Sequence, residues 1–325
     1  MPLVSVIINV RNGSSTLREA LDSVMAQTFS DWELILWDDR STDDSAKIVA
    51  ENSDARVHYF LSPVDTPLGG ARENAIRKAT GEWLAFLDQD DIWLPEKLAK
   101  QMALADERTG IIYGRTVRFY PNGRQREYDQ AHEYQRLPEG DIFPQLFTIG
   151  CFIAMSSAVF RRSAIEAVGG IPGTIQIIPD YYLYTAVGRR YPVRAVQEVV
   201  CRYRMHAANT SRLLAIEMHT EVLWLVEHWN NCLAPQTVAF CNKRHSTAIA
   251  LEEMRNRDSA IPGLLRLFRQ GSVGSQLARP FLFAFHLIRR NVRTPYWRAL
   301  EDATTATAPK NSISNQTEDQ SPHNR

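Results

Sequence analysis

The residue order predicts an α/β fold in which a mostly parallel sheet is flanked by helices and followed by a helical C-terminal extension. Three observations carry that expectation. Up to about residue 110, short apolar runs alternate with helical patterns, the layout of strands joined by crossover helices. The first run, 4–10, is continuously apolar, as in a strand covered on both faces. Acids cluster at the ends of two such runs, where open parallel sheets bind their ligands.

Each element has its own reason. After the strand at 4–10, Leu17, Ala20, Leu21, Val24 and Met25 recur at helical spacing. Residues 32–37 form a second strand that ends in Asp38-Asp39. Ser41, Thr42, Asp43 and Asp44 offer capping groups to a helix carrying Ala46, Val49 and Ala50. Residues 56–61 make a third strand, followed by a loop through Pro67. Gly69-Gly70 opens a helix that ends near Gly81. The fourth strand, 83–87, runs directly into Asp88-Gln89-Asp90-Asp91. Pro95 stands at the first helical position of the next helix, with Leu98 and Met102 on its buried side. Beyond Gly110 the pattern is irregular: two strands at 111–113 and 117–120, a turn at Pro121-Asn122-Gly123, and a polar loop over 125–140. A strand at 157–160 precedes a short helix ending at Gly169-Gly170. A helix starts at Asp180, and 199–205 is the last strand. The chain divides into a catalytic domain over 1–212, a helical region over 213–302, and a Thr/Ser/Asn/Gln-rich tail over 303–325 expected to be disordered.

Composition excludes several classes. Of the 325 residues 44% are hydrophobic and 23% charged, which rules out a wholly disordered or collagen-like chain. Lys+Arg and Asp+Glu are both 37, so a globally basic nucleic-acid binder is not indicated. The four cysteines, Cys151, Cys201, Cys232 and Cys241, form no C-x-x-C pair and read as reduced thiols. No apolar run reaches the ~18–20 residues of a membrane span. The N-terminus lacks the basic start of a signal peptide, which leaves the cytoplasm as the expected address.

The strand-end acids carry the chemistry. In an extended segment Asp88 and Asp90 point the same way while Gln89 and Asp91 point away. Two such carboxylates repel unless a cation lies between them, and Mg²⁺ or Mn²⁺ takes oxygen ligands from carboxylates, water and phosphate. The alternative is a solvated acidic turn. Arg72 follows Gly69-Gly70 near a helix start, where a guanidinium can fork onto phosphate or a base carbonyl; the alternative is an ordinary surface arginine. No G-x-G-x-x-G or Walker A follows the first strand, so a nicotinamide-dependent enzyme or a P-loop NTPase is disfavoured. Asp180, after Ile177-Ile178-Pro179, suits either a helix cap or a general base. His206 ends the last strand and suits either a structural histidine or a ligand.

Together these segments resemble the inverting nucleotide-sugar transferases of glycosyltransferase family 2, whose GT-A fold is a Rossmann-like sheet. The blocks VSVIINVRN, LDSVMAQTFSDWELILWDDRSTDDS, GGARENAIRKATGEWLAFLDQDDIWLPEKL, MSSAVFRRSAIEAVGGI and CRYRMHAANTS follow that family's order over roughly residues 3–212. The resemblance implies a nucleotide-diphosphate sugar donor, a glycan or lipid-linked acceptor, and a role in surface polysaccharide or lipid-linked glycan synthesis. It implies that Asp38 and Asp39 contact the nucleotide and Arg72 the nucleotide or diphosphate. Asp88 and Asp90 would form the D-x-D element, with Asp90 on the metal and Asp88 nearer the ribose. Asp180 matches the catalytic base, and His206 approaches metal or diphosphate. Four positions depart from the family pattern: Asn9 and Arg11 in the first block, Arg40 after the acid pair, Glu73 after Arg72, and Pro179 before Asp180. The competing readings are a sugar-nucleotide pyrophosphorylase and a non-catalytic nucleotide-binding protein of the same fold. Residues 255–298 hold nine arginines against one acid, Asp258, interleaved with Phe281, Phe283, Phe285 and Trp297. Such a segment suits peripheral contact with the inner face of a membrane, or packing on the catalytic domain or on a second subunit.

Overall fold

The computed structural model describes residues 2–120, 123–127, 136–206, 209 and 213–256. The expectations for 257–302 and for the tail over 303–325 lie outside these residues, and with them nearly all of the basic segment 255–298.

Strands β1 (Val4–Val10) and β2 (Trp32–Asp38) are buried along almost their whole length, which explains their unbroken apolar sequence. β1 pairs in parallel with β2 on one side and with β4 (Trp83–Phe86) on the other, and β3 (Val57–Leu61) extends β2 in parallel. Beyond β4 the sheet becomes mixed. β8 (Val159–Arg161) runs antiparallel between β4 and β6 (Ile111–Phe119). β9 (Val193–Arg204) is parallel to β6, and the short β5 (Ile92–Trp93) is antiparallel to β9. Among the described residues the nine-stranded sheet has the order β3-β2-β1-β4-β8-β6-β9-β5, with β7 (Gln125–Glu127) pairing with β6 at its side. The parallel crossover pattern therefore describes the first four positions, while strand direction in the second half follows connections that apolar runs alone do not encode.

Two expected strands, 111–113 and 117–120, are one. Gly114 in the middle of β6 lets Val200 of β9 approach: a Cβ there would lie 2.6 Å from a Val200 methyl. The register shifts on both sides of Arg115, so the chain bulges instead of breaking. β9 likewise begins six residues before the expected 199.

Alternation along β1 divides the core. Ile7 faces a cluster with Trp37, Phe86, Phe160 and Tyr184, while Val4, Val6 and Ile8 face Leu17, Leu21 and Val24 of helix α1 (Leu17–Met25). Helices α2 (Ser45–Ala50), α3 (Leu68–Ile76), α4 (Lys97–Met102), α5 (Phe143–Thr148), α6 (Arg162–Ala167) and α7 (Pro179–Gly188) complete the layers. Two further helices follow, α8 (Ala215–His228) and α9 (Pro235–Asn256). Val222, Trp224, Leu225 and Val226 of α8 and Cys241 of α9 join the Ile7 cluster. Residues 213–256 thus share a core with the sheet, and each fully buried aliphatic side chain adds ~1.5–3 kcal/mol. All four cysteines are free thiols. Among the described residues no helix is long and apolar enough to cross a membrane.

Candidate active site

Beyond the carboxyl ends of β1, β2 and β4 opens a cavity of about 1000 Å³. β1 delivers Arg11, whose guanidinium bonds Asp39 Oδ2 at 3.1 Å and lies 3.3 Å from Asp65. Asp39 lines the cavity and also accepts from Thr66 Oγ1 at 3.2 Å. Asp38, expected beside it on the nucleotide, does not line the cavity. It is 1% exposed and accepts the Ser41 N–H and the Tyr59 hydroxyl, both at 2.7 Å. Those bonds hold the turn in which Arg40 takes the left-handed φ of 63°. Burial, with Asp38 alongside, pushes the Tyr59 phenol up.

The acids after β4 lie in a turn, closed by the Asp91 N–H donating to Asp88 O at 3.0 Å. Strand alternation fails there, and one consequence corrects the sequence expectation. Asp91 does turn inward, accepting from Ser156 Oγ at 2.6 Å and from the Arg204 N–H at 2.9 Å. Gln89, expected to point away, stands on the cavity wall and grips the Arg11 backbone at both its N–H and its carbonyl.

Arg72 on α3 is 4% exposed and donates to Asp88 Oδ1 at 2.9 Å. Its helix sits close against the loop before α7: the Gly69 N–H donates to Ile175 O at 2.9 Å, and a Cβ at Gly69 would meet that oxygen at 2.7 Å. Glu73, one of the unusual positions, accepts the Ile171 N–H at 3.0 Å and ties the same loop down. Asp180 follows Pro179 at the start of α7, lines the cavity and accepts the Tyr181 N–H at 2.8 Å. Burial raises the Asp180 carboxyl above the usual carboxylate range, and the nearby Arg72 charge pulls the other way. Burial likewise raises Asp88; Arg72 opposes this, while Asp90 and Asp180 repel its negative form.

His206 Nε2 stands 2.7 Å from Asp90 Oδ2. The histidine is oriented by Asn209, whose Oδ1 accepts its backbone N–H at 2.8 Å, and Arg204 Nε donates to Asp90 O at 2.7 Å. The structure therefore gathers Asp39, Arg72, Asp88, Asp90, Asp180 and His206 around one cavity and leaves Asp38 out. At its far end the wall comes from α8 and α9, where His219 Nδ1 and His245 Nδ1 lie 3.0 Å apart. Sequence reading found neither histidine nor the site role of Gln89; only Gln89 had a signal, its place between two acids.

The donor set fits a hard divalent cation. Asp90 and His206 offer converging oxygen and nitrogen donors, and Asp88 and Asp90 repel in a way a cation would relieve. Among the described residues no group of three His, Cys, Asp or Glu forms a metal cage. Mg²⁺ and Mn²⁺ commonly complete such partial sets with water and phosphate oxygens.

Comparison with known proteins extends this geometry. A family model described as Glycosyl transferase family 2 matches residues 5–169. An uncharacterized glycosyltransferase of Nostoc sp. is 30% identical over 215 residues, 63% of this chain and 66% of the relative. Two Escherichia coli proteins carry the name UDP-Glc:alpha-D-GlcNAc-diphosphoundecaprenol beta-1,3-glucosyltransferase. WfaP is 25% identical over 261 residues, 76% of this chain and 100% of WfaP. WfgD is 38% identical over 113 residues, 34% of this chain and 45% of WfgD. The match thus spans less than half of WfgD and about two thirds of the Nostoc protein. Among solved structures, S. aureus TarS 1–349 in complex with UDP-GlcNAc aligns with a TM-score of 0.57 at 17% identity, covering 94% of this chain and 81% of that one. The mannosyltransferase PcManGT from Pyrobaculum calidifontis, in complex with GDP-Man and Mn²⁺, aligns with a TM-score of 0.57 at 19% identity, covering 94% and 86%. These two show a shared fold.

Proposed function

The chain belongs to glycosyl transferase family 2 and has the GT-A fold, and on that premise we propose that it transfers a sugar, with inversion, from a nucleoside-diphosphate donor to an acceptor hydroxyl. The observation that carries this reading is the convergence of Arg72, Asp88, Asp90, His206 and Asp180 on one cavity at the strand ends.

Asp39 would meet the base or ribose, with Arg11 beside it, and Arg72 would fork onto the diphosphate. Mg²⁺ or Mn²⁺ would be held by Asp90 and His206 with Asp88 beside them, and when bound supplies neutralisation of charge on the departing diphosphate. Asp180 would take the proton from the acceptor hydroxyl as its oxygen attacks the anomeric carbon opposite the leaving group. One displacement of that geometry inverts the anomeric centre. The Arg72 charge serves Asp180 by favouring the ionised form that a base needs, against the burial that disfavours it.

The names of WfaP and WfgD favour a lipid-linked diphosphate sugar as acceptor. Such an acceptor places the reaction at a membrane, on the cytoplasmic side where nucleotide sugars would reach it, with 255–298 as the peripheral contact. A pyrophosphorylase is disfavoured by the first loop, Arg11-Asn12-Gly13-Ser14-Ser15, which lacks a Gly-rich signature.

A screen of UDP- and GDP-sugars, with and without Mn²⁺ and with a polyprenyl-diphosphate GlcNAc acceptor, tests the proposal. A metal-dependent product with the anomeric configuration opposite to the donor's supports it. Nucleotide binding without hydrolysis or transfer of any donor would point to the non-catalytic reading, and conversion of a donor to nucleoside triphosphate and sugar 1-phosphate when pyrophosphate replaces the acceptor would point to the pyrophosphorylase.

A further inference from the structure

We infer that Glu221, on α8 and outside the stretch matched by the family model, is a positioning residue for Asp180; the inference rests on the reading of Asp180 as the proton acceptor. Glu221 is fully buried. Its carboxylate accepts three successive backbone N–H groups, from Gln176 at 2.8 Å and from Ile177 and Ile178 at 2.9 Å each. Ile178 is the residue immediately before α7, and Asp180 stands two positions later.

The chemistry of this contact is specific. The N–H groups leading into a helix lack acceptors of their own, and a negative charge there also meets the positive end of the helix dipole. A buried loop with three N–H groups pointing one way needs an acceptor with several lone pairs, which a carboxylate supplies and an amide does not. The same loop is held from its other side by α3, through Glu73 on the Ile171 N–H and Gly69 on Ile175 O. The segment 171–178 is therefore suspended between the helix that carries Arg72 and the helix that carries Glu221. Where those two attachments put it decides how far Asp180 stands from the reacting hydroxyl. A displacement of ~1 Å at such a group costs on the order of 10²-fold in rate.

The test compares Glu221→Gln, Glu221→Asp, Asp180→Asn and the double variant Asp180→Asn/Glu221→Gln in the full chain. Transfer rate, donor KM, and binding of UDP and GDP with Mn²⁺ are read on each. Glu221→Gln presents an NH₂ to at least one N–H that needs an acceptor. The expected result is a kcat lower by ~10–10²-fold with donor KM and nucleotide binding within about twofold of the native values. Glu221→Asp, which keeps the charge, recovers part of the rate. In the Asp180→Asn background the Gln substitution costs almost nothing more, because two residues acting through one step are not additive. An unchanged kcat in Glu221→Gln, equal losses in both backgrounds, or a loss of nucleotide binding in step with kcat would each overturn the inference. Should Glu221→Gln fail to fold, Glu221→Asp is compared in the two backgrounds by the same criterion. Near-normal transfer by Asp180→Asn alone would instead overturn the reading of Asp180 on which this rests.

Discussion

Gln89 and Arg11 exchange two hydrogen bonds across 78 residues of sequence: the Gln89 amide accepts the Arg11 N–H at 2.9 Å and donates to the Arg11 carbonyl at 3.2 Å. The loop after β1 and the acid turn after β4 are thereby fixed to each other. Gly13 packs against the same amide so closely that a Cβ would lie 2.4 Å from Gln89 Oε1. Replacing Gln89 with Ala removes both bonds at a partly solvated site, worth ~0.5–1.5 kcal/mol each. Donor KM should rise ~3–10-fold with a smaller change in kcat, measured by initial rates over a donor series. A variant with native KM would show that the two loops keep their relation without this amide.

Asp90→Ala removes the carboxylate that faces His206. Nucleotide affinity should lose its enhancement by Mn²⁺, and transfer should fall to background. Calorimetric titration of UDP or GDP with and without Mn²⁺ reads the first outcome directly. Persisting Mn²⁺ enhancement in the variant would move the cation elsewhere. His206→Gln keeps Asp90 and should weaken the Mn²⁺ effect without abolishing it.

Asp180→Asn preserves shape and should leave donor binding intact while transfer falls ~10²-fold or more. On the reading of Asp180 as the base, the native protein should carry a pH signature of the same group. Burial raises the Asp180 carboxyl, and the reactive form is the ionised one, so kcat should climb with pH through a value above the ordinary Asp range of about 4. Loss of that acid limb in the variant's residual rate is the accompanying observation.

Lys97 is fully buried, with its ammonium 4.0 Å from the Trp93 ring centroid and donating to Gln101 Oε1 at 2.6 Å. Burial lowers its pKa to about 7. The unfolded chain, with an ordinary lysine, binds more protons than the folded one between that value and about 10.4, so stability should rise with pH across this window. Between pH 7.5 and 9.5 the gain should approach ~2 kcal/mol, and Lys97→Met should flatten it. Denaturant midpoints of both proteins at the two pH values check this; parallel slopes would sink it.

Much of the first half was legible because its signals are local. The strands 4–10, 32–37 and 83–87 and the helix over 17–25 fall where continuous runs and helical spacing put them. Asp39, Arg72, Asp88, Asp90, Asp180 and His206, which line one cavity, were singled out less by their own patterns, each of which also suits an ordinary structural role, than by the order of the blocks that carry the family resemblance. What stayed hidden depends on distant partners. Asp38 differs from Asp39 only in facing Tyr59 and Ser41 instead of the cavity, and adjacent acids look alike in sequence. Glu221 sits among apolar residues of α8 and looks like an ordinary helical acid until the loop at 176–178 is seen against it. Strand direction beyond β4 is hidden for the same reason, since a three-residue strand such as β8, Val159-Phe160-Arg161, reads identically either way along the sheet.

The route of the chain after Asp91 has a consequence for biosynthesis. β5 leaves the acid turn to lie beside β9 at the far edge of the sheet, pairing Ile92 with Arg202 and Trp93 with Cys201. His206 follows Asp90 by 116 residues. At ~5–20 residues per second a ribosome needs on the order of ten seconds to make that stretch. Through that interval the nascent chain holds the acids Asp88, Asp90 and Asp91 with neither the histidine, nor the strand that accepts β5, nor the helix bearing Glu221. On the proposed reading, a partly made chain would hold Arg72, Asp88 and Asp90 without the histidine that faces Asp90, and the full set of groups would come together only after β9 and His206 have been made.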